Sequence, residues 1–138
     1  MKVFFDTNVY VAEALLGETA ERLIEATLRG RWRVYTTGYV LDELNRVLTE
    51  KLGFPRRLAI LSRRRIMRRS VLIEPGESRH VVPRDPKDSP ILRAALEVGA
   101  DYLVTNDRHL LALHPYEGLR IVSMADYQQC LIEQALWA

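Results

Sequence analysis

Short β-rich runs alternate with helical stretches along the whole of this chain, and that rhythm narrows the possible folds more than any other feature. Residues 2–5 (KVFF) read as a strand, and Asn8 to Leu16 as a helix stopped by Gly17. Ala20, Leu23, Ile24, Thr27 and Leu28 then recur at helical spacing up to Gly30. Residues 33–36 (RVYT) form a second strand, and Val40, Leu41, Leu44, Val47 and Leu48 mark a third helix closed by Gly53. Pro55 opens an arginine-rich helix, and residues 71–74 (VLIE) read as a third strand before a Pro75-Gly76 turn. A polar loop with a short extended piece at Val81-Val82 leads to residues 89–98 (SPILRAALEV), apolar almost all round and therefore a well-buried helix. Residues 102–105 (YLVT) are a fourth strand, Arg108 to Leu113 a short helix ended by Pro115, and residues 120–122 (RIV) a fifth strand. Ser123 with Asp126 makes a capping box for a final helix reaching Trp137. Strands separated by helices predict an α/β fold with a parallel, doubly wound sheet. With 138 residues and no repeat or linker, a single domain over 1–138 is expected.

Composition excludes some classes. No apolar run approaches the roughly 20 residues that cross a bilayer, and Asp6 interrupts the opening run too early for a secretory signal core. Cys130 is the sole cysteine, so no intrachain disulfide can form. A cytoplasmic protein with no membrane partner is expected. The net charge is only +2, yet Arg56, Arg57, Arg63, Arg64, Arg65, Arg68 and Arg69 stand in one helix with no acid among them, on an otherwise acidic chain. Guanidinium groups suit bidentate phosphate contacts, so this run reads as a footprint for a polyanion, with a solvated helix face as the competing reading.

In an open parallel sheet, ligands bind at the carboxyl ends of the strands, near the point where strand order reverses. Asp6 follows KVFF directly, and Asp107 follows YLVT after Asn106. If those two strands are neighbours, both carboxylates face one crevice, and a bound cation is the simplest compensation for their repulsion. Asp88, at a helix start in DPKDSPIL, and Glu43, inside helix 39–52 beside Asp42, are further candidates. Carboxylates without clustered His or Cys select a hard ion, Mg²⁺ or Mn²⁺. His80, His109 and His114 have no partners at metal-ligand spacing. Each acid also has an ordinary reading: Asp6, Asp88 and Asp107 as helix N-caps, Glu43 as a solvated helix residue. Spacing alone leaves both readings open.

The opening KVFFDTNVYV resembles the first strand and motif of PIN domains, a hydrophobic run followed by D-[TS]-N. TTGYVLDELNRVL resembles their second motif, whose helix supplies a glutamate, here Glu43. RDPKDSPILRAALEVGADYLVTNDRHLL resembles the third and fourth motifs together, an aspartate opening a small-residue helix and then a strand ending in T-[GN]-D. The likeness spans residues 2–113 in order. More narrowly, the chain looks like the toxin components of toxin–antitoxin pairs related to VapC toxins.

This resemblance implies a three-layer α/β/α sandwich, with a five-stranded parallel sheet of order 3-2-1-4-5. It also implies Mg²⁺- or Mn²⁺-dependent cleavage of RNA to 5′-phosphate and 3′-hydroxyl products. Frequent homodimers, and inhibition by an antitoxin whose tail enters the active-site groove, belong to the same pattern. By position, Asp6, Glu43, Asp88 and Asp107 match the acidic quartet of metal ligands, with Glu43 as ligand or general base. Asp88 is preferred to Asp85 because it stands at the helix start. Thr7, Asn8, Thr105 and Asn106 fall where small polar residues orient the carboxylates, or shape the turns. Arg56, Arg57, Arg63, Arg64, Arg65, Arg68 and Arg69, with Arg84, Lys87 and Arg93, are candidates to hold the RNA backbone. One departure is His109, where many members carry another acid as a fifth ligand.

Two rival readings share a sheet with acids at the strand ends. A receiver-type signalling module needs a lysine after its last strand, where this chain has RIVSMAD. A haloacid-dehalogenase-like phosphatase needs a second aspartate two residues after the first, where this chain has Asn8. A PIN fold that binds RNA or protein without cutting, or a housekeeping nuclease, is the closer alternative.

Overall fold

The computed structural model describes residues 1–74 and 89–137. Five parallel strands make one sheet: β1 (Lys2–Phe5), β2 (Arg33–Thr37), β3 (Val71–Ile73), β4 (Tyr102–Val104) and β5 (Arg120–Val122), in the order β3-β2-β1-β4-β5. Helices α1 (Thr7–Ala14) and α2 (Glu18–Arg29) join β1 to β2. Then α3 (Gly38–Arg46) runs through a wide π-helical turn at Val47–Lys51 toward α4 (Arg56–Arg69) and β3. Next come α5 (Ser89–Glu97), α6 (Arg108–Leu111) between β4 and β5, and α7 (Met124–Glu133). The helices flank the sheet in two groups, α2 with α7 and α3 with α4 and α5, while α1 touches both α2 and α3. This is the expected α/β architecture and strand order.

Strand register explains the packing. Val3 lies beside Tyr102 and Phe5 beside Val104, so these four side chains share one face, because neighbouring parallel strands keep aligned residues on the same side. On that face Tyr127 of α7 meets Phe5 and Tyr102 edge-on, with ring centroids 5.7 and 5.6 Å apart. The opposite face carries Phe4, Leu103 and Tyr35, aligned in the same register. Phe4 and Leu103 are wholly buried and Tyr35 nearly so. Strands buried on both faces read as near-continuous apolar runs, which is why KVFF and YLV stand out in the sequence.

Helix ends differ most from expectation in two places. The last helix stops at Glu133 rather than Trp137, because Ala135 takes φ 59° and the Leu136 N–H returns to the Leu131 carbonyl at 2.8 Å. The chain thus turns back. Leu136 lies against Gly30, where a Cβ would come within 2.7 Å of its Cδ1, and the Arg22 guanidinium sits 4.4 Å from the Trp137 ring centroid. The third helix, expected to run unbroken to residue 52, widens at Val47–Lys51, where the Leu52 N–H donates to the Val47 carbonyl five residues back (3.0 Å). Among the described residues, no helix is long and apolar enough to cross a membrane.

Candidate metal centre

The chain leaves β1 toward β2 on one side, while β4 pairs with β1 on the other, so the carboxyl ends of β1 and β4 flank the point where strand order reverses. Asp6 and Asp107 both emerge there. The Asp6 N–H still belongs to the sheet, donating to the Val104 carbonyl at 2.9 Å. Its side chain caps α1, with Oδ1 accepting from the Thr7 N–H at 2.6 Å. Asp107 caps α6, with Oδ1 accepting from the His109 and Leu110 N–H groups at 2.7 and 3.1 Å. Both aspartates are therefore caps, as their ordinary reading had it. A carboxylate offers about four lone-pair sites, so capping leaves each with capacity for a further partner.

Thr105 ties the two together. Its hydroxyl donates to Asp6 Oδ2 at 2.7 Å and accepts from the Asp107 N–H at 3.0 Å. Asn8 Nδ2 reaches both Asp6 Oδ2 and Thr105 Oγ1 at 3.3 Å, while Asn8 Oδ1 accepts from the Asn106 N–H at 3.4 Å. Asn106 Oδ1 in turn accepts from the Met124 N–H at 3.1 Å, joining the turn after β4 to the start of α7. Thr7 contributes through its backbone; its own buried hydroxyl has no hydrogen-bond partner among the described residues.

Glu43 arrives from the neighbouring strand. Thr37 ends β2 and caps α3 by accepting from the Val40 N–H, and Glu43 follows about one turn further on. Its Oε2 accepts from the Tyr39 hydroxyl at 3.1 Å, one helical turn back. Asp6 carries the electrostatic signature of this convergence. Only 3% of its surface is exposed, and burial pushes its carboxyl up to about 6 from an ordinary 3.8. The Thr105 hydroxyl and Thr7 N–H oppose that shift, and the charges of Glu43 and Asp107 add to it. Thr105→Val, which keeps the shape and removes the donor, is expected to raise the Asp6 pKa above that of the wild type in a carboxyl NMR titration. It should also cost about 1–3 kcal/mol in urea unfolding, since the Asp107 N–H loses its partner.

Glu43 and Asp107 thus both act on Asp6 through charge. Among the described residues, no three His, Cys, Asp or Glu side chains are gathered into a group able to hold an ion. Asp88, the fourth expected acid, lies outside the described residues, as do Asp85, Arg84, Lys87 and His80. The donor chemistry would suit a hard divalent ion: the candidate donors are all carboxylate oxygens, and among the described residues no cationic side chain is one of the groups that shift Asp6. His109 stands with Nδ1 3.9 Å from Asp107 Oδ1, and His114 is structural, accepting the Ile121 N–H at 2.9 Å.

The arginine helix divides. Arg69 makes a bidentate pair with Glu13 of α1 at 2.7 and 2.8 Å, and Arg65 lies 3.6 Å from Glu13 and 3.3 Å from Glu21. Arg63 lies 3.5 Å from the exposed Asp42. Arg56, Arg57, Arg64 and Arg68 are exposed and have no ion-pair partner among the described residues. Arg93 is half-buried on α5. Residue patterns had not singled out the Tyr39–Glu43 contact, nor Arg46 and Lys51, which line an open cleft with Tyr39, Asp42 and Glu43.

Compared with known families, residues 2–109 match the family model described as the PIN domain. No curated protein and no solved structure matches the chain.

Proposed function

Because the chain belongs to the PIN-domain family, whose members are generally metal-dependent nucleases, we propose that it is an endoribonuclease that uses Mg²⁺ or Mn²⁺. The buried Asp6 carboxylate, hemmed in by Glu43 and Asp107 at the strand-order reversal, carries this reading. An ionised carboxylate so placed is costly without a cation, and family members spend that cost on binding one. Asp6, Asp107 and Asp88 would hold the ion, with Glu43 as ligand or general base. When bound, it neutralises phosphate charge and activates water for attack at phosphorus.

The chain's own residues set the stage. Thr105 and Asn8 hold Asp6 Oδ2 toward Asp107, and capping fixes Oδ1 of both aspartates, leaving limited freedom for either carboxylate to turn away. Tyr39 keeps Glu43 oriented at the cleft mouth, and a proton leaving the attacking water would pass to Glu43. Arg56, Arg57, Arg64 and Arg68 remain available to a polyanion. Arg84 and Lys87, outside the described residues, keep the same assignment from their place beside the third motif. The narrower reading is a toxin of a type II toxin–antitoxin pair. A homodimer and an antitoxin that blocks the groove would be its partners, and sequence resemblance supports it.

Purified protein with single-stranded RNA and Mn²⁺ or Mg²⁺ is expected to give endonucleolytic products that EDTA abolishes and that Asp107→Asn fails to make. Cleavage surviving EDTA, or undiminished in that variant, overturns the assigned site. Wild-type protein that binds RNA but never cuts it selects the silent binding module. Expression in a bacterial host should arrest growth if the toxin reading holds; a host that grows normally while the purified protein cleaves RNA favours a housekeeping nuclease.

A further inference from the structure

An open cleft of about 450 Å³ lies beside Glu43, lined among the described residues by Tyr39, Asp42, Glu43, Arg46 and Lys51. Its composition contrasts with the acidic centre it adjoins: two cations, an amphipathic ring and two carboxylates. Neither cation is in an ion pair among the described residues, whereas Asp42 has Arg63 at 3.5 Å and Glu43 has the Tyr39 hydroxyl.

The helix geometry decides which charge reaches this cleft. With about 3.6 residues per turn, an uninterrupted α-helix carrying Tyr39, Glu43 and Arg46 on one face would next bring up Glu50. The chain instead widens here, and the hydrogen bond from the Leu52 N–H to the Val47 carbonyl spans five residues. The next residue on the face is then Lys51, five after Arg46, and Lys51 lines the cleft while Glu50 does not. Packing supplies the reason for the bulge: Leu48 is wholly buried, and the Phe54 N–H returns to the Leu48 carbonyl at 2.8 Å, tying the exit of the turn to its core-facing residue. One extra residue in the turn thus exchanges an acid for a base. Such π-turns recur at functional sites.

We propose that this cleft is a subsite for the sugar-phosphate backbone of a single-stranded nucleic acid next to the scissile bond, with Arg46 and Lys51 taking a phosphate and Tyr39 offering its ring to a base. It rests on the nuclease reading and adds to it a direction. The strand leaves the acidic centre past Glu43 along α3, rather than across the arginines of α4 that face Glu13. Arg46 forks onto phosphate oxygens and Lys51 supplies a second positive charge, while the exposed Asp42 is held by Arg63. Stacking on an aromatic ring tolerates any base, so the subsite fixes the path of the strand rather than its sequence.

The discriminating variant exchanges the two charges, Glu50→Lys combined with Lys51→Glu, which preserves net charge and composition. Binding of a fluorescently labelled single-stranded RNA is read by anisotropy in EDTA across a salt series, with cleavage assayed separately in Mn²⁺. The exchange is expected to raise Kd by about tenfold. In cleavage it should raise KM by a similar factor with kcat within about twofold, as loss of uniform binding does. Lys51→Gln and Arg46→Gln, milder changes should the exchange disturb folding, should each lower the log–log salt slope by about 0.7, the share of one single-strand phosphate contact. An exchanged protein that binds and cleaves like wild type, or single variants with an unchanged slope, overturns the subsite and leaves the nuclease standing. Wild-type protein that neither binds nor cleaves RNA overturns the nuclease reading and the subsite together.

Discussion

Asp6→Asn is expected to stabilise the metal-free protein at neutral pH while removing its response to metal and its cleavage of RNA. The stabilisation follows from linkage. The Asp6 carboxyl is raised from 3.8 to about 6 in the folded chain, first by burial and then by Glu43 and Asp107. Below its unfolded value the folded and unfolded chains are both protonated and the group costs nothing. As pH rises from about 4 through about 6 the unfolded chain ionises first, so stability falls; above 6 the full penalty remains, roughly 3 kcal/mol. Asparagine does not titrate and caps a helix as well as aspartate. Part of the gain is returned, because the amide nitrogen cannot accept from Thr105 and Asn8 as Oδ2 does. A net gain of about 1–2 kcal/mol corresponds to about 3–8 °C in Tm at pH 7 in EDTA, shrinking to nothing near pH 4. Mn²⁺ should raise the wild-type Tm as a ligand of the folded state and leave the variant's unchanged. Cleavage should fall by more than about a hundredfold, beyond the cost of losing one supporting partner of a metal ligand. A variant less stable than wild type at pH 7, or a wild-type Tm indifferent to Mn²⁺, would sink this account.

The elements legible from residue patterns were those whose signal is local. KVFF, RVYT, VLIE, YLVT and RIV fall within a residue of β1 to β5; for the central strands β1 and β4 the signal is strongest, because strands buried between two layers are near-continuously apolar. Asp6 and Asp107 were legible for a similar reason: Asp6 directly follows such a run and Asp107 follows another after Asn106, and parallel topology puts both at one edge. Their adjacency was not legible from pattern, since strand order is decided by long-range packing; the likeness to PIN domains supplied it. Three features escaped, each through a partner distant in sequence. VLTEK satisfies ordinary helical spacing, and the π-turn arises only when Leu48 and Phe54 are seated. QALW continues an apolar periodicity, but Leu136 turns back onto Gly30, and that requires Ala135 to leave the helix. Seven arginines in one helix look alike in sequence, whereas Arg69 meets a carboxylate 56 positions away.

That pairing sets the second large effect. Glu13 is 6% and Arg69 14% exposed at the side chain, and the guanidinium meets the carboxylate with two parallel bonds at 2.7 and 2.8 Å. Arg69 also donates through Nε to the Arg65 carbonyl at 3.2 Å, and Arg65 approaches Glu13 from the next turn. Removing the carboxylate strands one charge where water hardly reaches. Glu13→Ala is therefore expected to cost about 3–5 kcal/mol, seen as a lower urea midpoint at unchanged slope. For a domain whose whole stability is about 5–15 kcal/mol, that leaves little in reserve. Arg69→Met should cost less, because it removes the ion that is harder to leave unpaired and keeps an apolar stem. The double variant Glu13→Leu, Arg69→Met should recover to within about 1–2 kcal/mol of wild type, since the desolvation cost of the pair disappears with it. The non-additivity of that cycle measures the pair. If Glu13→Ala loses less than about 1 kcal/mol, the pair behaves as a surface bridge and the burial argument fails. The consequence reaches the proposed metal centre: Glu13 lies on α1, whose first residues carry Asn8 and whose cap is Asp6. Anchoring α1 to the end of α4 holds the acidic edge of the sheet in place, so the arginine nearest β3 serves that edge by fixing α1.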